Sequence, residues 1–307
     1  MTGLGNVNAT SGVGALADQA PAYQTVRANG IEFNVAHAGD GDRLALCLHG
    51  FPELSLSWRY QMPMLAEAGY RVWAPDLRGY GRTERPSELE SYALPTLVQD
   101  IVQLIRVSEA EEVVLLAHDW GAAIAWYVAI HHSDLLDRLV IMNVPHPKIF
   151  EAMLRTRAQL IKSWYVGFFQ LPRLPELALR AKNAEAVGRA FTDMAVHTDR
   201  FPPELIDLYR NAAMEPGATT AMVNYYRGLR LPSSRRFQEL EVRPIRTPTL
   251  MIWGEQDTAL GVECTDGTEH WVEDFTLHRL RDASHWVQQD QPEEVNRILA
   301  DWLASTG

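Results

Sequence analysis

Leu115 to Trp126 reads LLAHDWGAAIAW, and the reading of this stretch decides the fold. An apolar run, Val113 to Ala117, ends in His118-Asp119-Trp120-Gly121, and small residues then alternate with larger apolar ones at helical spacing. The pattern predicts a buried strand, a sharp turn and a helix. A turn of the form small-x-nucleophile-x-small lifts one side chain above the edge of an α/β sheet, and the usual occupant is a serine. Here the lifted residue is Asp119. A serine alkoxide attacking a saturated carbon would leave an ether that water does not readily cleave. A carboxylate leaves an ester, whose carbonyl water can attack.

Upstream, QTVRANGIEFNVAH (Gln24 to His37) sets Asn29-Gly30 between two alternating segments, a strong hairpin signal that opens the sheet with antiparallel strands. Strand-like runs follow at Arg43–His49, Tyr70–Asp76, Glu112–Asp119 and Leu139–Val144, separated by the helical patterns SWRYQMPMLAEAG, LPTLVQDIVQLIRV and GAAIAWYVAIHH. Such alternation predicts a mostly parallel sheet with helices on both faces. It stops at Pro145-His146-Pro147. Residues 148–231 are helical in character, rich in Leu, Ala, Arg and aromatics, and read as an inserted helical cap. Strand patterns resume at TPTLMIWG (Thr247 to Gly254) and FTLHRL (Phe275 to Leu280), and a helix from about Pro292 to Leu303 closes the chain. The expected organisation is a leader at 1–22, a core at 23–147 and 232–307, and the cap between.

A chain of 307 residues can bury a substantial core. Its formal net charge of −11 opposes nucleic-acid binding, which draws its affinity from clustered Lys and Arg. Cys47 and Cys264 are the only cysteines, too few for a disulfide framework or a metal-binding CxxC pair, so a reducing, cytoplasmic setting is expected. The histidines form no HExxH or comparable cluster, and neither metal nor cofactor is expected. The leader lacks a basic segment followed by a continuous apolar one, which argues against a secretory signal, and Asn8-Ala9-Thr10 is an isolated match to a glycosylation acceptor. No apolar run approaches the ~20 residues needed to span a bilayer. An apolar cap surface would allow a homodimer, although no particular residue argues for one.

A nucleophilic Asp119 also needs a base, an acid to orient that base, and donors for an oxyanion. In the chain order nucleophile, acid, histidine, Asp257 follows the strand TLMIW and His285 follows FTLHRL. Residues just beyond the carboxyl ends of parallel strands gather at one sheet edge. Glu255 competes with Asp257 for the acid role. Asn143 stands where another acid could sit, but a neutral amide cannot balance an imidazolium. After a further strand, LCLHGFPE lets the backbone N–H groups of Phe51 and Trp120 converge on one site, with Gly50 permitting close approach and Pro52 fixing the bend, a position suited to a cis bond. His49 and His118 read as strand-end residues that shape the site, and His131-His132 as a solvent-facing helix end whose positive character suits the helix dipole.

Together HGFPE, DLRGYG, HDWG, WGEQD and SHW closely resemble the epoxide hydrolases of the α/β-hydrolase superfamily, over roughly Tyr23 to Leu303. The resemblance implies Asp119 as nucleophile, His285 as base, Asp257 as its partner, and Phe51 and Trp120 as oxyanion donors. It also implies two cap tyrosines that protonate the opening ring: Tyr165 in KSWYVGFFQLP and Tyr226 in VNYYRGL, with Tyr225 its competitor because adjacent helix positions point about 100° apart. His49, Pro52, Trp164, Phe168 and Trp286 are expected around a dry substrate pocket. The substrates implied are a small apolar epoxide and water, the product a vicinal diol. A haloalkane dehalogenase would use the same nucleophile, but Phe51 occupies the place of its usual Asn halide donor. A non-catalytic binding or sensing protein on this scaffold would not need so complete a set of reactive residues. A serine-type esterase lacks its nucleophile.

Overall fold

The structure, a computed structural model, describes residues 21–305. Most of the expected leader, with Asn8-Ala9-Thr10, lies outside the described residues. The hairpin forms as expected: β1 (Ala22–Ala28) and β2 (Ile31–Ala38) pair antiparallel around Asn29 and Gly30, both with positive φ, as a type I′ connection requires. Then come β3 (Arg43–Leu48), α1 (Gln61–Glu67), β4 (Tyr70–Pro75), α2 (Leu94–Ser108), β5 (Val113–His118), α3 (Asp119–His131) and β6 (Arg138–Met142). The described sheet has eight strands in the order β1-β2-β4-β3-β5-β6-β7-β8, where β7 is Thr249–Gly254 and β8 is Phe275–Leu280. From β4 across to β8 every pairing is parallel.

Alternation along the central strands explains the two packed faces. Leu115, Ala117, Leu139 and Ile141 pack with Leu97, Val98 and Ile101 of α2 and with Ala122 and Ile124 of α3. Their neighbours Val114, Leu116, Val140 and Met142 point the other way, onto Met62 and Leu65 of α1 and onto Val295, Ile298 and Leu299 of the closing helix, Pro292–Ser305. Burial on both sides is why these strands read as continuous apolar runs rather than alternating ones.

Between β6 and β7 the chain leaves the sheet through α4 (Pro147–Met153), α5 (Arg157–Lys162), α6 (Trp164–Phe168), α7 (Leu174–Thr192), α8 (Pro203–Met214), α9 (Ala218–Gly228) and α10 (Pro232–Gln238). Residues 182–184 of α7 carry positive φ, so it is two helical pieces joined by a kink. Helix α9 crosses back to the core, where the Tyr225 hydroxyl donates to the Arg78 carbonyl at 2.8 Å. Arg78 is itself held by Asp100 of α2 in a buried pair, Nε to Oδ2 2.7 Å. One expectation needs correcting. His131, at the end of α3, stacks on Tyr127 and packs against the tilted Phe237 ring, and burial lowers its pKa, so it is not the exposed positive cap that helix-end logic suggested.

Candidate active site

Asp119 occupies the turn between β5 and α3 with φ of 47°, a left-handed conformation rarely adopted by a residue with a side chain. Such strain is of order 1–3 kcal/mol and persists where surrounding structure enforces it. Here that structure is close packing. A Cβ on Gly121 would lie 2.4 Å from the Leu48 carbonyl oxygen, and one on Gly50 would lie 2.3 Å from the Asp119 Cβ. Only glycine lets β3 and the turn approach this closely. The Gly121 N–H donates to the His49 carbonyl at 3.0 Å, which locks the two strand ends together.

The Phe51 N–H donates to Asp119 Oδ1 at 2.6 Å, and the Phe51–Pro52 peptide is cis. The His285 Nε2 stands 3.4 Å from Asp119 Oδ2, and its Nδ1 is 2.7 Å from Asp257 Oδ2. Asp257 is fully satisfied otherwise: Oδ1 accepts the N–H groups of Ala259 and Leu260, and Oδ2 accepts Asn143 Nδ2 at 2.8 Å. Asn143 in turn accepts the Gly254 N–H. The residue that sequence reasoning set aside as a failed acid is therefore the bracket that aims the acid. Glu255 takes no part in this cluster.

Burial would raise the Asp119 pKa, but the hydrogen bond and charge of His285, the nearby His118 and the Phe51 N–H together bring it below the usual carboxylate range. Burial would likewise lower His285, yet the charges and hydrogen bonds of Asp257 and Asp119 raise it well above the ordinary imidazole value. Both directions favour a carboxylate facing an imidazolium. A second set of bonds lies behind it. Buried Glu53, the last residue of HGFPE, accepts the Gly50 N–H and the amides of Gln288 and Gln289, and lies 2.8 Å from His118 Nδ1. The other His118 nitrogen meets the His285 carbonyl at 2.8 Å. The motif contained Glu53, but nothing in its spacing tells that it reaches a histidine 65 positions later.

Above Asp119 opens a cavity of about 680 Å³. Asp119, Trp120, Tyr165 and Tyr226 line it, with apolar walls that include Leu94, Val144, Phe150, Leu229 and Leu260. The Tyr165 and Tyr226 rings meet edge to face at 6.0 Å, and Tyr226 also packs on Trp120 and Phe51. Desolvation, then the Asp119 charge, raises the pKa of both tyrosines, which stay protonated. Tyr225 is absent from the lining, its hydroxyl spent on Arg78. The remaining pocket expectations need correction. Trp164 is 66% exposed and points away from the cavity lining, while Phe168 packs against Trp164 and Phe169. His49, Pro52 and Trp286 are buried behind the site: His49 Nε2 accepts the Leu77 N–H, and Trp286 donates to the Ala190 carbonyl and stacks on Phe191. The walls come from residues far apart in the chain, a grouping no local pattern announces.

An aspartate on a strained strand-to-helix turn, a histidine and an acid beyond later strand ends, and a backbone N–H just past β3 that bonds the aspartate have the layout of an α/β hydrolase. The chain matches the α/β hydrolase fold family over residues 46–292. It is 38% identical to Epoxide hydrolase 3 of Xenopus tropicalis, over 92% of this chain and 77% of that protein. It is 37% identical to the AB hydrolase superfamily protein YfhM of Bacillus subtilis, over 91% and 97%. The crystal structure of a Bacillus megaterium epoxide hydrolase in complex with an inhibitor superposes with a TM-score of 0.84 at 33% identity, covering 92% of this chain and all of that one. The chain belongs to the epoxide hydrolase family.

Proposed function

We propose that this enzyme hydrolyses an apolar epoxide to a vicinal diol through a covalent ester on Asp119. The reading is carried by one observation: a carboxylate, bonded to an N–H on one oxygen and facing a histidine with the other, shares a largely apolar cavity with two tyrosines. Phe51 holds Oδ1, which leaves Oδ2 to attack a ring carbon. The C–O bond of the epoxide breaks as the ester bond forms, and Tyr165 and Tyr226 donate to the departing oxygen. Esterification removes the Asp119 charge, one of the causes that raise His285. The imidazolium then gives up its proton, which restores the tyrosine and the alcohol, and becomes a base. Neutral His285, steadied by Asp257, takes a proton from water as the oxygen attacks the Asp119 carbonyl carbon. The N–H groups of Phe51 and Trp120 receive the tetrahedral oxyanion. Collapse breaks the bond between the Asp119 carbonyl carbon and Oδ2; the leaving alkoxide takes a proton from His285, which recovers one from the new carboxyl, so the diol departs with Oδ2 and Asp119 keeps one water-derived oxygen. Every proton and electron pair comes from these residues, substrate and water.

Residues 148–231 are the cap in this proposal; α10 beyond them belongs to the core, since Ser234 caps the Leu94 N–H of α2. No described helix is long and apolar enough to cross a membrane, and Cys47 and Cys264 are buried free thiols, which supports a cytoplasmic assignment. The decisive experiment is a single turnover in ¹⁸O-water. The label is expected in the peptide holding Asp119, with an unlabelled diol. Label in the first-cycle diol with none in the protein would refute the ester route.

A further inference from the structure

The cap carries an apolar face that the reaction does not use. Within residues 161–177, Ile161 is 73% exposed, Trp164 66% and Leu177 65%, with Leu171 and Leu174 also exposed. Trp164, Phe168 and Leu171 follow helical spacing across α6 and its last turn, and Gly167 between them opens on free space. Five large apolar side chains stand exposed within this short stretch, whereas a soluble surface ordinarily scatters such residues singly.

Charge makes the face specific. The chain carries −11 overall, yet residues 152–184 contain six Lys or Arg and a single acid, Glu176. That acid is bound to Arg227 at 2.6 Å. Arg155 and Lys182 pair with Glu151 and Glu185, each one residue outside that stretch, whereas Lys162 and Arg173 sit among the apolar residues with no acidic partner within ion-pair distance among the described residues. Trp and Leu projecting among cations, on an otherwise acidic protein, is the pattern of a surface that rests on anionic lipid headgroups. The same short helix lends Tyr165 and Val166 to the catalytic cavity. We propose that residues 161–177 dock this enzyme on an anionic bilayer surface, so that an apolar epoxide partitioned into the lipid enters the cavity without crossing bulk water. The substrate half of this statement rests on the epoxide reading above; the docking half does not.

Co-sedimentation of the full chain with vesicles separates the two. Binding is expected to vesicles of phosphatidylcholine with about 30 mol % phosphatidylglycerol, weaker binding to phosphatidylcholine alone, and release at about 0.5 M NaCl. Leu174→Ser with Leu177→Ser, and separately Lys162→Glu with Arg173→Glu, should each lower the bound fraction roughly tenfold or more. Both variants should keep wild-type turnover of a water-soluble epoxide and lose the rate advantage on an epoxide dissolved in the vesicles. Absence of binding to the anionic vesicles, or equal binding by wild type and both variants, overturns the proposal. So does a concentration-dependent dimer, lost in the leucine variant, in a protein that ignores vesicles: the face would then belong to a second copy. If vesicles bind but no epoxide is turned over, docking stands and the epoxide reading falls.

Discussion

Adjacent tyrosines on α9 offer a sharp test, because a step of about 100° between neighbouring helix positions gives them different surroundings. Tyr226 lines the cavity with Asp119, whereas Tyr225 is packed among Tyr80, Tyr92 and Trp120 and bonds to the Arg78 carbonyl. Tyr226→Phe removes a donor to the alkoxide that forms as the ring opens. A donor to developing negative charge in a buried site is worth about 2–4 kcal/mol, but Tyr165 continues to donate. The expected loss is therefore roughly ten- to a hundredfold in the alkylation rate, or about 1.4–2.8 kcal/mol. Replacing both tyrosines should cost roughly a thousandfold or more. Tyr225→Phe should instead leave a buried carbonyl without its partner and lower stability by about 1–2 kcal/mol, with alkylation unchanged. The assay is the build-up of ester in a His285→Gln background, followed by intact mass after timed quenching, alongside urea unfolding of each variant. If Tyr225→Phe slows alkylation as much as Tyr226→Phe, the assignment of the two rings, and the donor role with it, is wrong.

His285→Gln alone should retain alkylation and stop hydrolysis, so that the protein mass rises by that of one substrate; an unmodified protein after incubation with excess epoxide contradicts the two-step scheme. Asp257→Asn keeps the shape of the side chain but withdraws the charge that orients and raises His285, and single-turnover kinetics should show hydrolysis of the ester slowed by about 10²–10⁴. The pH dependence has a definite order. With Asp119 ionised, the His285 pKa is raised, and esterification removes part of the cause; the acid limb of ester hydrolysis should thus lie below the resting His285 titration seen by NMR. The reverse order would show that the Asp119 charge does not set the state of His285. Away from the site, Asp100→Ala should strip buried Arg78 of its counter-charge and destabilise the protein by about 3–5 kcal/mol in chemical denaturation.

Strand ends were legible in the sequence because they combine two local signals, an apolar run and an abrupt turn. That is why Asp119, Asp257 and His285 stand out and why the structure brings the two carboxylates to 3.4 and 2.7 Å from His285, and why FTLHRL coincides with β8. Asn29-Gly30 announced its hairpin for the same reason. The walls of the cavity were not legible. Leu94 begins a helix of the core, Phe150 follows the exit from β6, Leu229 ends α9 and Leu260 follows the acid loop, so only the folded chain assembles them. Trp164 shows the limit most clearly. Helix α6 has five residues, too few for periodicity to phase an aromatic run, and tertiary packing alone decides that Tyr165 turns to Tyr226 while Trp164 faces out. Asn143 was visible as a departure from an acid, yet its use as a bracket for Asp257 depends on a contact 114 residues away.

The choice of aspartate at the turn carries a physical difficulty that the surrounding residues resolve. A carboxylate attacks carbon well only when stripped of water, and stripping it of water favours its protonation, which abolishes the nucleophile. Asp119 has a side chain only 19% exposed and meets this conflict directly. One Phe51 N–H offsets part of the penalty, and the imidazolium of His285 offsets more. The same contact then sets the order of events. On the proposed ester route, a charged Asp119 favours the protonated form of His285, so the base needed for hydrolysis would become available only after attack. Esterification would remove part of what holds that proton, the Asp257 charge remaining, and the base would appear beside its ester. A serine at this turn would need its histidine neutral from the start. On that route the aspartate and the raised histidine act as one device, and the turn at Asp119 presents one of its oxygens to Phe51 and the other to His285.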